Sequence, residues 1–343
     1  MSEQPASEDT KTGQAPGGPL VQRLLKDWCA RNNLKLVLDD ALGHAGYIES
    51  KDGKRSFFIG TRFDLNPLGA SEIAKDKAYA LEFMAKEGLP TPKTLLLTSP
   101  EEQQRLALKR PGYVDTSAQA KALEDFLSAT DFPLFVKPND GQEGEDVCKV
   151  PSRAALETIL TTLFARHTKL LVQQEAKGRE FRSVVLNGQI LFSIERNGPQ
   201  VTGDGASSLS DLMRDHHPEL EDQIIAHLTM QDLSVDLVPD AECDVALLPT
   251  TNLSKGGKAK LVEAELPSPV SDGILAAGKA IGLAYYAIDY LSPSLTDQDT
   301  DWTILEINAA PGLAELARQN DAMADRVKQT YEKLFNALSG TLQ

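Results

Sequence analysis

Three side chains that carry oxygen ligands stand in apolar segments of the C-terminal part of the chain. Asp289 lies in AIDYL, and Glu306 and Asn308 lie in ILEINAAPG. Side chains two residues apart on a strand point to the same side, so Glu306 and Asn308 should face one pocket, which Asp289 can join from an adjacent strand. Such groups are costly among apolar neighbours unless they are neutralised, and a magnesium pair would neutralise them. An isolated Glu-x-Asn is more often a strand end that reaches solvent, so the magnesium interpretation depends on other features.

A lysine beside a glycine-containing loop is the second candidate feature. The segment FPLFVKPNDGQEGEDV predicts a buried strand that ends in Lys137 and Pro138, followed by a loop with Gly141 and Gly144. The ammonium group can meet phosphate oxygens while backbone N–H groups of the loop close over them. Glycine loops near a lysine are common, so this segment alone does not distinguish a phosphate site from an ordinary loop.

A polar hinge between two strands is the third feature, in LLVQQEAKGREFRSVV. Its backbone N–H and C=O groups can bind the edge of an adenine, and Glu180 can accept hydrogen bonds from ribose hydroxyls. The simpler alternative is an exposed polar connection.

A predicted helix that begins near residue 71 carries two further lysines, Lys75 and Lys77. Ser71 can cap this helix, and Gly88 with Pro90 would end it. Its shared face is formed by Ala74, Ala78, Leu81 and Ala85.

The order of these features resembles the ATP-grasp superfamily over residues from about 71 to 318. The resemblance is closest to the ATP-grasp region of cyanophycin synthetases and extends to related glutathione-forming and D-alanine D-alanine ligases. The strings that carry it are SEIAKDK, FVKPNDGQEG, LLVQQEAKGREFR, VTGDGASSL, NLSKGG and ILEINAAPGL.

The resemblance implies roles for individual residues. It implies that Lys77 and Lys137 bind phosphates and that Gly141 to Gly144 form a mobile lid. It further implies an adenine hinge at Gln173, Glu175 and Ala176, ribose binding by Glu180, catalytic cations at Arg182, Arg196 and Lys255, and metal ligands at Asp289, Glu306 and Asn308. The implied cofactors are ATP and Mg²⁺, with two ions and with Mn²⁺ as an alternative.

The implied activity is that of an ADP-forming carboxylate-amine ligase, which activates a carboxylate as an acyl phosphate. Its substrates would be amino acids or small peptides. The lid departs from the family pattern because Glu143, Glu145 and Asp146 add negative charge near a triphosphate, unless they face solvent, metal or a cationic substrate. Gln173 also stands where many relatives carry an acidic residue. The acidic lid keeps an ATP-binding module without turnover as one alternative, and a small-molecule kinase of the same superfamily is another.

The fold class implied is α/β (α+β), with two subdomains that grip ATP between sheets and a short N-terminal α/β unit. We predict a disordered tail over 1–18, the N-terminal unit and lysine helix over 19–90, the small subdomain with its glycine lid over 91–176, and the large subdomain with the magnesium site over 177–343. Within the last, Asn187-Gly188 predicts a tight hairpin turn.

The composition of the 343 residues is that of a soluble globular protein, with 41% hydrophobic and 25% charged residues. A net charge of −15 disfavours nucleic acid as a partner. No apolar run approaches the length of a membrane span, and the three isolated cysteines favour a reducing cytoplasm. A homodimer is expected because many of the related ligases form dimers.

Overall fold

The computed structural model describes residues 19–109, 116–141, 144–214, 220–230, 233–248, 250–297 and 300–341. The predicted tail over 1–18 lies outside them. The chain divides into two compact units: residues up to Leu65 group with those from Gly312 onwards, and Asn66–Pro311 form the second unit. The C-terminal residues thus group with the N-terminal part, and the predicted boundaries at residues 90 and 176 stay predictions.

Helices and strands both occur in each unit. The helices are α1 (Leu20–Arg31), α2 (Leu68–Lys75), α3 (Lys77–Lys86), α4 (Pro100–Lys109), α5 (Thr116–Ser128), α6 (Arg153–Phe164), α7 (Leu209–Leu212), α8 (Glu221–Met230), α9 (Ser268–Ile281), α10 (Ala314–Ala317) and α11 (Asp321–Thr341). The strands are β1 (Lys35–Leu38), β2 (Ala45–Glu49), β3 (Arg55–Ile59), β4 (Arg62–Phe63), β5 (Thr94–Thr98), β6 (Leu134–Pro138), β7 (Cys148–Val150), β8 (Lys169–Gln174), β9 (Arg179–Leu186), β10 (Gln189–Asn197), β11 (Gln200–Thr202), β12 (Asp244–Ala246), β13 (Lys258–Leu261), β14 (Tyr285–Ser292) and β15 (Thr303–Asn308). None of the helices in the described ranges is long and apolar enough to cross a membrane.

The first unit joins α1, an antiparallel sheet of order β1-β2-β3-β4, and the helices α10 and α11. The rings of Trp28 and Phe335 lie 5.7 Å apart between centroids, and Phe335 lies at the same distance from Phe63. The Trp28 indole donates a hydrogen bond of 3.0 Å to Asn336. Aromatic side chains that are far apart in the sequence therefore form this core.

The predicted lysine helix is two helices, so the prediction of one helix capped by Ser71 is wrong. The break lies at Asp76, whose φ of −89° and ψ of 102° are extended. Its carboxylate accepts a hydrogen bond of 3.1 Å from the backbone N–H of Tyr79 and so caps α3. An aspartate that caps a new helix start competes with continuation of the preceding one. Lys75 and Lys77 consequently lie on different helices, whereas the predicted stop at Gly88, with φ of 75°, is confirmed.

A four-stranded sheet of order β5-β8-β6-β7 follows, with every neighbouring pair antiparallel. Its core contains side chains of its strands and of α6, including Leu97, Leu134, Val136, Leu156 and Val172. Strand β6 ends at Lys137 and Pro138, as the sequence predicts.

A five-stranded antiparallel sheet of order β13-β10-β9-β14-β15 contains six of the candidate residues: Glu180, Arg182, Arg196, Asp289, Glu306 and Asn308. The predicted hairpin between β9 and β10 is confirmed, with positive φ at Asn187 (49°) and Gly188 (74°). One face of the sheet packs against α3 and α9 through a continuous apolar core that includes Tyr286, Ile288 and Tyr290 of β14. Since alternate residues point to opposite faces, Asp289 belongs to the other face.

Candidate functional site

Arg182 and Asp289 form the centre of the polar face of the five-stranded sheet. They are directly paired across β9 and β14. The guanidinium donates through Nε to Oδ1 and through Nη2 to Oδ2, and each bond is 2.6 Å long. Asp289 is 1% exposed. Bidentate pairs of this kind fix geometry as well as charge.

The charge of Asp289 is held by its two arginine neighbours. Burial alone would raise the pKa of this carboxyl, but the charges of Arg182 and Arg196 outweigh burial and keep the pKa well below its usual range. The Arg196 Nη2 lies 3.2 Å from Oδ2 of Asp289. Arg196 also contacts Glu180, its cross-strand partner on β9. The two predicted catalytic arginines are thus brought together around one buried carboxylate.

Glu306 lies between cations from different elements. Its Oε2 is 3.7 Å from Nζ of Lys77 on α3, and its Oε1 is 3.9 Å from Nη2 of Arg182. Glu306 is also paired with Asp289 across β14 and β15. The amide of Asn308 donates a hydrogen bond of 3.0 Å to Oε1 of Glu306, which confirms that these two side chains share a face.

Lys137 approaches the same cluster from the four-stranded sheet. Burial lowers the pKa of its ammonium group to about 8, and the positive charge of Lys77 adds to this effect. The carboxylates of Glu306 and Glu180 oppose it. The two predicted phosphate lysines therefore lie close enough to influence each other, one on a helix and one at a strand end.

The predicted lid begins against this cluster. The Nζ of Lys77 donates a hydrogen bond of 2.6 Å to the carbonyl oxygen of Gly141. Gly144 has a φ of 68°, and a Cβ added there would lie 2.5 Å from Cγ2 of Thr250. Both the φ and the close approach explain why glycine suits position 144. The predicted lid residues 142 and 143, including Glu143, lie outside the described residues.

A cavity of about 990 Å³ adjoins the lid. Its lining is formed by Asp140, Gly141, Gly144, Glu145, Asp146, His167, Gln223 and Lys255. Lys255 thus lines the same cavity as the lid glycines. The negative charge of Asp146 has local partners, since its Oδ1 lies 3.0 Å from Arg166 and its Oδ2 lies 2.6 Å from Nε2 of His167. No sequence pattern indicates the contact with His167, which is 21 residues away in the chain.

The predicted hinge residues have contacts of their own. Gln173 is 4% exposed, and its amide donates a hydrogen bond of 2.9 Å to the hydroxyl of Thr94. Glu175 lies 2.7 Å from Nζ of Lys149. Ala176 follows the end of β8 and is half-buried. Gln173 thus lies near the end of β8, Glu175 and Ala176 lie in the connection to β9, and their adenine role stays a prediction.

The oxygen donors of the cluster are of the chemical type that a magnesium ion takes, while both oxygens of Asp289 accept hydrogen bonds from Arg182. Glu306, Asn308 and Asp289 offer two carboxylates and one amide, and Mg²⁺ prefers such oxygen ligands. Among the described residues, no group of three or more His, Cys, Asp or Glu side chains is arranged to hold a metal. A magnesium site built from the three predicted ligands would use the amide oxygen of Asn308 and oxygens of a bound substrate beside the carboxylates.

No protein-family model matches the chain. The chain is 26% identical over 262 residues to cyanophycin synthetase of Geminocystis herdmanii, and the match covers 70% of this chain and 28% of that protein. It is 26% identical over 215 residues to the glutathione biosynthesis bifunctional protein of Listeria monocytogenes, covering 57% of this chain and 28% of that protein. The chain thus spans less than a third of the length of these curated relatives.

Among solved structures, the chain is similar to a bifunctional glutathione synthetase from Pasteurella multocida. The TM-score is 0.57 at 19% identity, and the similarity covers 92% of this chain and 44% of the other. At this identity the likeness concerns the fold. Together with the curated relatives, it confirms what the motifs indicate: this chain has the ATP-grasp fold and is similar to the ATP-grasp ligases.

Proposed function

We propose that this chain is an ATP-dependent, ADP-forming carboxylate-amine ligase that works through an acyl phosphate. Its substrates are amino acids or small peptides, which it joins by an amide bond. The observation that carries this proposal is the position of Glu306, which lies within 4 Å of Lys77, Arg182 and Asn308. Cations from a helix and a strand thus surround a carboxylate suited to a metal, which is the arrangement that a metal-bound triphosphate requires.

The charges of the cluster support binding of an anion. Four cations meet three carboxylates there: Lys77, Lys137, Arg182 and Arg196 against Glu180, Asp289 and Glu306. The cluster therefore carries one positive charge in excess, although the whole chain has a net charge of −15. A local excess of this sign favours a polyanion at this place on an acidic protein.

The proposed reaction has two steps. A carboxylate oxygen of the first substrate attacks the terminal phosphorus of ATP, and the bond to ADP breaks. The nitrogen of the amine substrate then attacks the acyl carbon and loses a proton to solvent, and inorganic phosphate leaves with the electrons of the broken C–O bond. Without the first step the leaving group would be an oxide, which explains the requirement for ATP.

The side chains of this unit contribute position and charge. Lys77 and Lys137 hold phosphate oxygens, and Arg182 and Arg196 neutralise charge that develops on the transferred phosphoryl group. Lys255 acts from the lining of the cavity beside the lid. One or two Mg²⁺ ions bound by Asp289, Glu306 and Asn308 would supply further neutralisation of the phosphate oxygens. Gln173, Glu175 and Ala176 provide the adenine edge, and Glu180 accepts from the ribose.

Closure of the segment from Gly141 to Gly144 belongs to the same proposal. An acyl phosphate is open to attack by water, so the site must exclude solvent during chemistry and open to release product. The hydrogen bond from Lys77 to the Gly141 carbonyl supports a direct link between the phosphate cations and this segment.

The experiment that tests the proposal is a screen of amino acids and dipeptides for ADP release, with mass spectrometry of the products. A conjugate formed only when ATP, a carboxylate and an amine are all present supports a ligase. A stable phosphorylated product without an amine would instead identify a kinase. Tight ATP binding without ADP release across the whole screen would identify a binding module.

A further inference from the structure

The side chain of Asn139 lies where two separately packed sheets of the second unit meet. Asn139 follows Lys137 and Pro138 directly, and it is 2% exposed. Its Oδ1 accepts a hydrogen bond of 2.9 Å from the backbone N–H of Ala78, the second residue of α3. Strand β6 packs in the core of the four-stranded sheet, whereas α3 packs in the core of the five-stranded sheet. One buried amide thus joins the residue after Lys77 to the segment just beyond Lys137.

Further contacts close a ring around this hydrogen bond. The first N–H groups of a helix have no partner within the helix, and at α3 the carboxylate of Asp76 serves Tyr79 while Asn139 serves Ala78. The backbone N–H of Asn139 donates to the carbonyl of Lys169 at 3.2 Å. The Nζ of Lys169 in turn lies 3.6 Å from Oδ2 of Asp76. Strands β6 and β8 are therefore both tied to the start of α3.

The two lysines at this junction belong to elements that pack in different cores, so their separation depends on how the two packed layers are joined. Lys137 is part of β6, and Lys77 is the first residue of α3. Lys77 also donates to Gly141, two residues beyond Asn139. Displacements of about 1 Å are large compared with the tolerance of a charge-assisted hydrogen bond to phosphate.

We infer that Asn139 is a positioning residue, which sets the distance between Lys77 and Lys137 so that both ammonium groups reach the phosphates of one nucleotide. This inference rests on the proposed function, since it assumes that the two lysines hold phosphates. Asn139 itself does not touch the nucleotide. It acts through the helix start that carries Lys77.

Calorimetric titration of the full chain with Mg·ATP and with AMP tests the inference. In Asn139→Ala the affinity for ATP should fall about tenfold, while the affinity for AMP stays within about twofold, because AMP offers a single phosphate and depends less on the spacing between the two lysines. Asn139→Asp keeps an acceptor for the N–H of Ala78 and should bind ATP within about threefold of the unmodified chain. Asn139→Ser, whose hydroxyl is too short to reach Ala78, provides a second loss of the hydrogen bond if the alanine variant does not fold.

Gln103→Ala is the matched control. Gln103 is 8% exposed, and its amide donates a hydrogen bond of 2.8 Å to the carbonyl of Thr98 and not to α3 or to the segment after β6. The substitution Gln103→Ala removes a buried hydrogen bond of similar kind and should leave the affinities for ATP and AMP unchanged.

Three results would overturn the inference: unchanged ATP affinity in Asn139→Ala, an equal loss for AMP and ATP, or an Asn139→Asp variant as weak as the alanine. If the loss of any buried hydrogen bond loosens the fold, Asn139→Ala should weaken AMP and ATP binding equally. Gln103→Ala should then weaken both as well. If the unmodified chain does not bind ATP, the proposed function fails, and the inference fails with it. If the unmodified chain binds ATP and one of the three results is found, only the inference about Asn139 fails.

Discussion

Arg182 binds Asp289 through two parallel hydrogen bonds, and the pair joins the neighbouring strands β9 and β14 on the polar face of the sheet. Asp289 is almost completely buried, so its charge depends on this partner and on Arg196. The carboxylate proposed to hold a metal therefore also orients the two arginines proposed to act on the phosphoryl group.

Arg182→Lys should destabilise the fold by about 3 kcal/mol, because an ammonium cannot form both hydrogen bonds and leaves the buried carboxylate incompletely paired. ADP release should fall as well. Urea unfolding at pH 7 measures the first effect. The control is Arg179→Lys on the same strand, whose exposed pair with Glu195 should contribute less than about 1 kcal/mol. Equal effects of the two substitutions would contradict the role assigned to the buried pair.

Glu306→Ala should abolish ADP release and leave the fold largely intact. Its carboxylate is the group that Lys77, Arg182 and Asn308 share, and it is only half-buried, so its removal leaves no deep cavity. Circular dichroism checks the fold, and a coupled assay checks ADP. Glu195→Ala, on strand β10 of the same sheet, is the control, because Glu195 pairs with Arg179 outside the cluster. Normal turnover of the true substrates by Glu306→Ala would refute the proposed metal site.

The affinity for ATP should decline above pH 8. Burial lowers the pKa of Lys137 to about 8, so the free protein loses this positive charge as the pH rises through that value. ATP must then bind a neutral amine or recruit a proton, and the affinity should fall by up to about tenfold per pH unit. Calorimetry between pH 7 and 10 measures the trend. Lys137→Arg, which keeps its charge, should show a flat profile; a decline of the same size there would assign the effect to another group.

Lys137→Met should raise stability while it removes ATP binding. The folded-state pKa of Lys137 lies below the ordinary value of 10.5, so the charged form is disfavoured in the fold at pH 7. Since the unfolded chain binds the proton more tightly, stability is lowest below pH 8 and increases towards pH 10.5. Removing the amine should raise the free energy of unfolding by about 2 kcal/mol at pH 7 and by less at pH 10. Thermal unfolding at both pH values checks this, and a loss of stability at pH 7 would disprove it.

Gly144→Ala should displace the lid segment and reduce ADP release. The added Cβ would lie 2.5 Å from Thr250, in addition to the strain of a φ of 68°. Gly88→Ala separates the two causes, because Gly88 has a φ of 75° and no atom within 4 Å of the added Cβ. Gly88→Ala should lower the free energy of unfolding by about 1 kcal/mol and leave ADP release unchanged. Similar ADP release by the two variants would show that the contact between residue 144 and Thr250 does not limit activity.

Local patterns predicted those parts of the site that depend on neighbouring residues. Glu306 and Asn308 share a face because strand side chains alternate, and Asn187-Gly188 forms the turn because both residues accept positive φ. The pairing of Arg182 with Asp289 was beyond such patterns, since it depends on the register of two strands that are distant in sequence.

Other features were missed because the decisive partner lies elsewhere in the chain or because a local contact competes with the pattern. The helical periodicity near residue 71 is continuous, and it does not show that Asp76 begins a new helix. Asn139 has the sequence context of an ordinary loop residue, although its amide bonds Ala78 in the fold. Side-chain contacts across sheets are set by tertiary packing, which a single sequence does not encode in its local spacing.

The grouping of α1 with α11 in one unit has a consequence for biosynthesis. Phe335 packs against Trp28 and Phe63, so the core of that unit is incomplete until α11 leaves the ribosome. The intervening unit, Asn66–Pro311, is continuous and can fold earlier as the polypeptide emerges. Trp28 of helix α1 therefore lacks its contact with Phe335 while about 300 residues are translated.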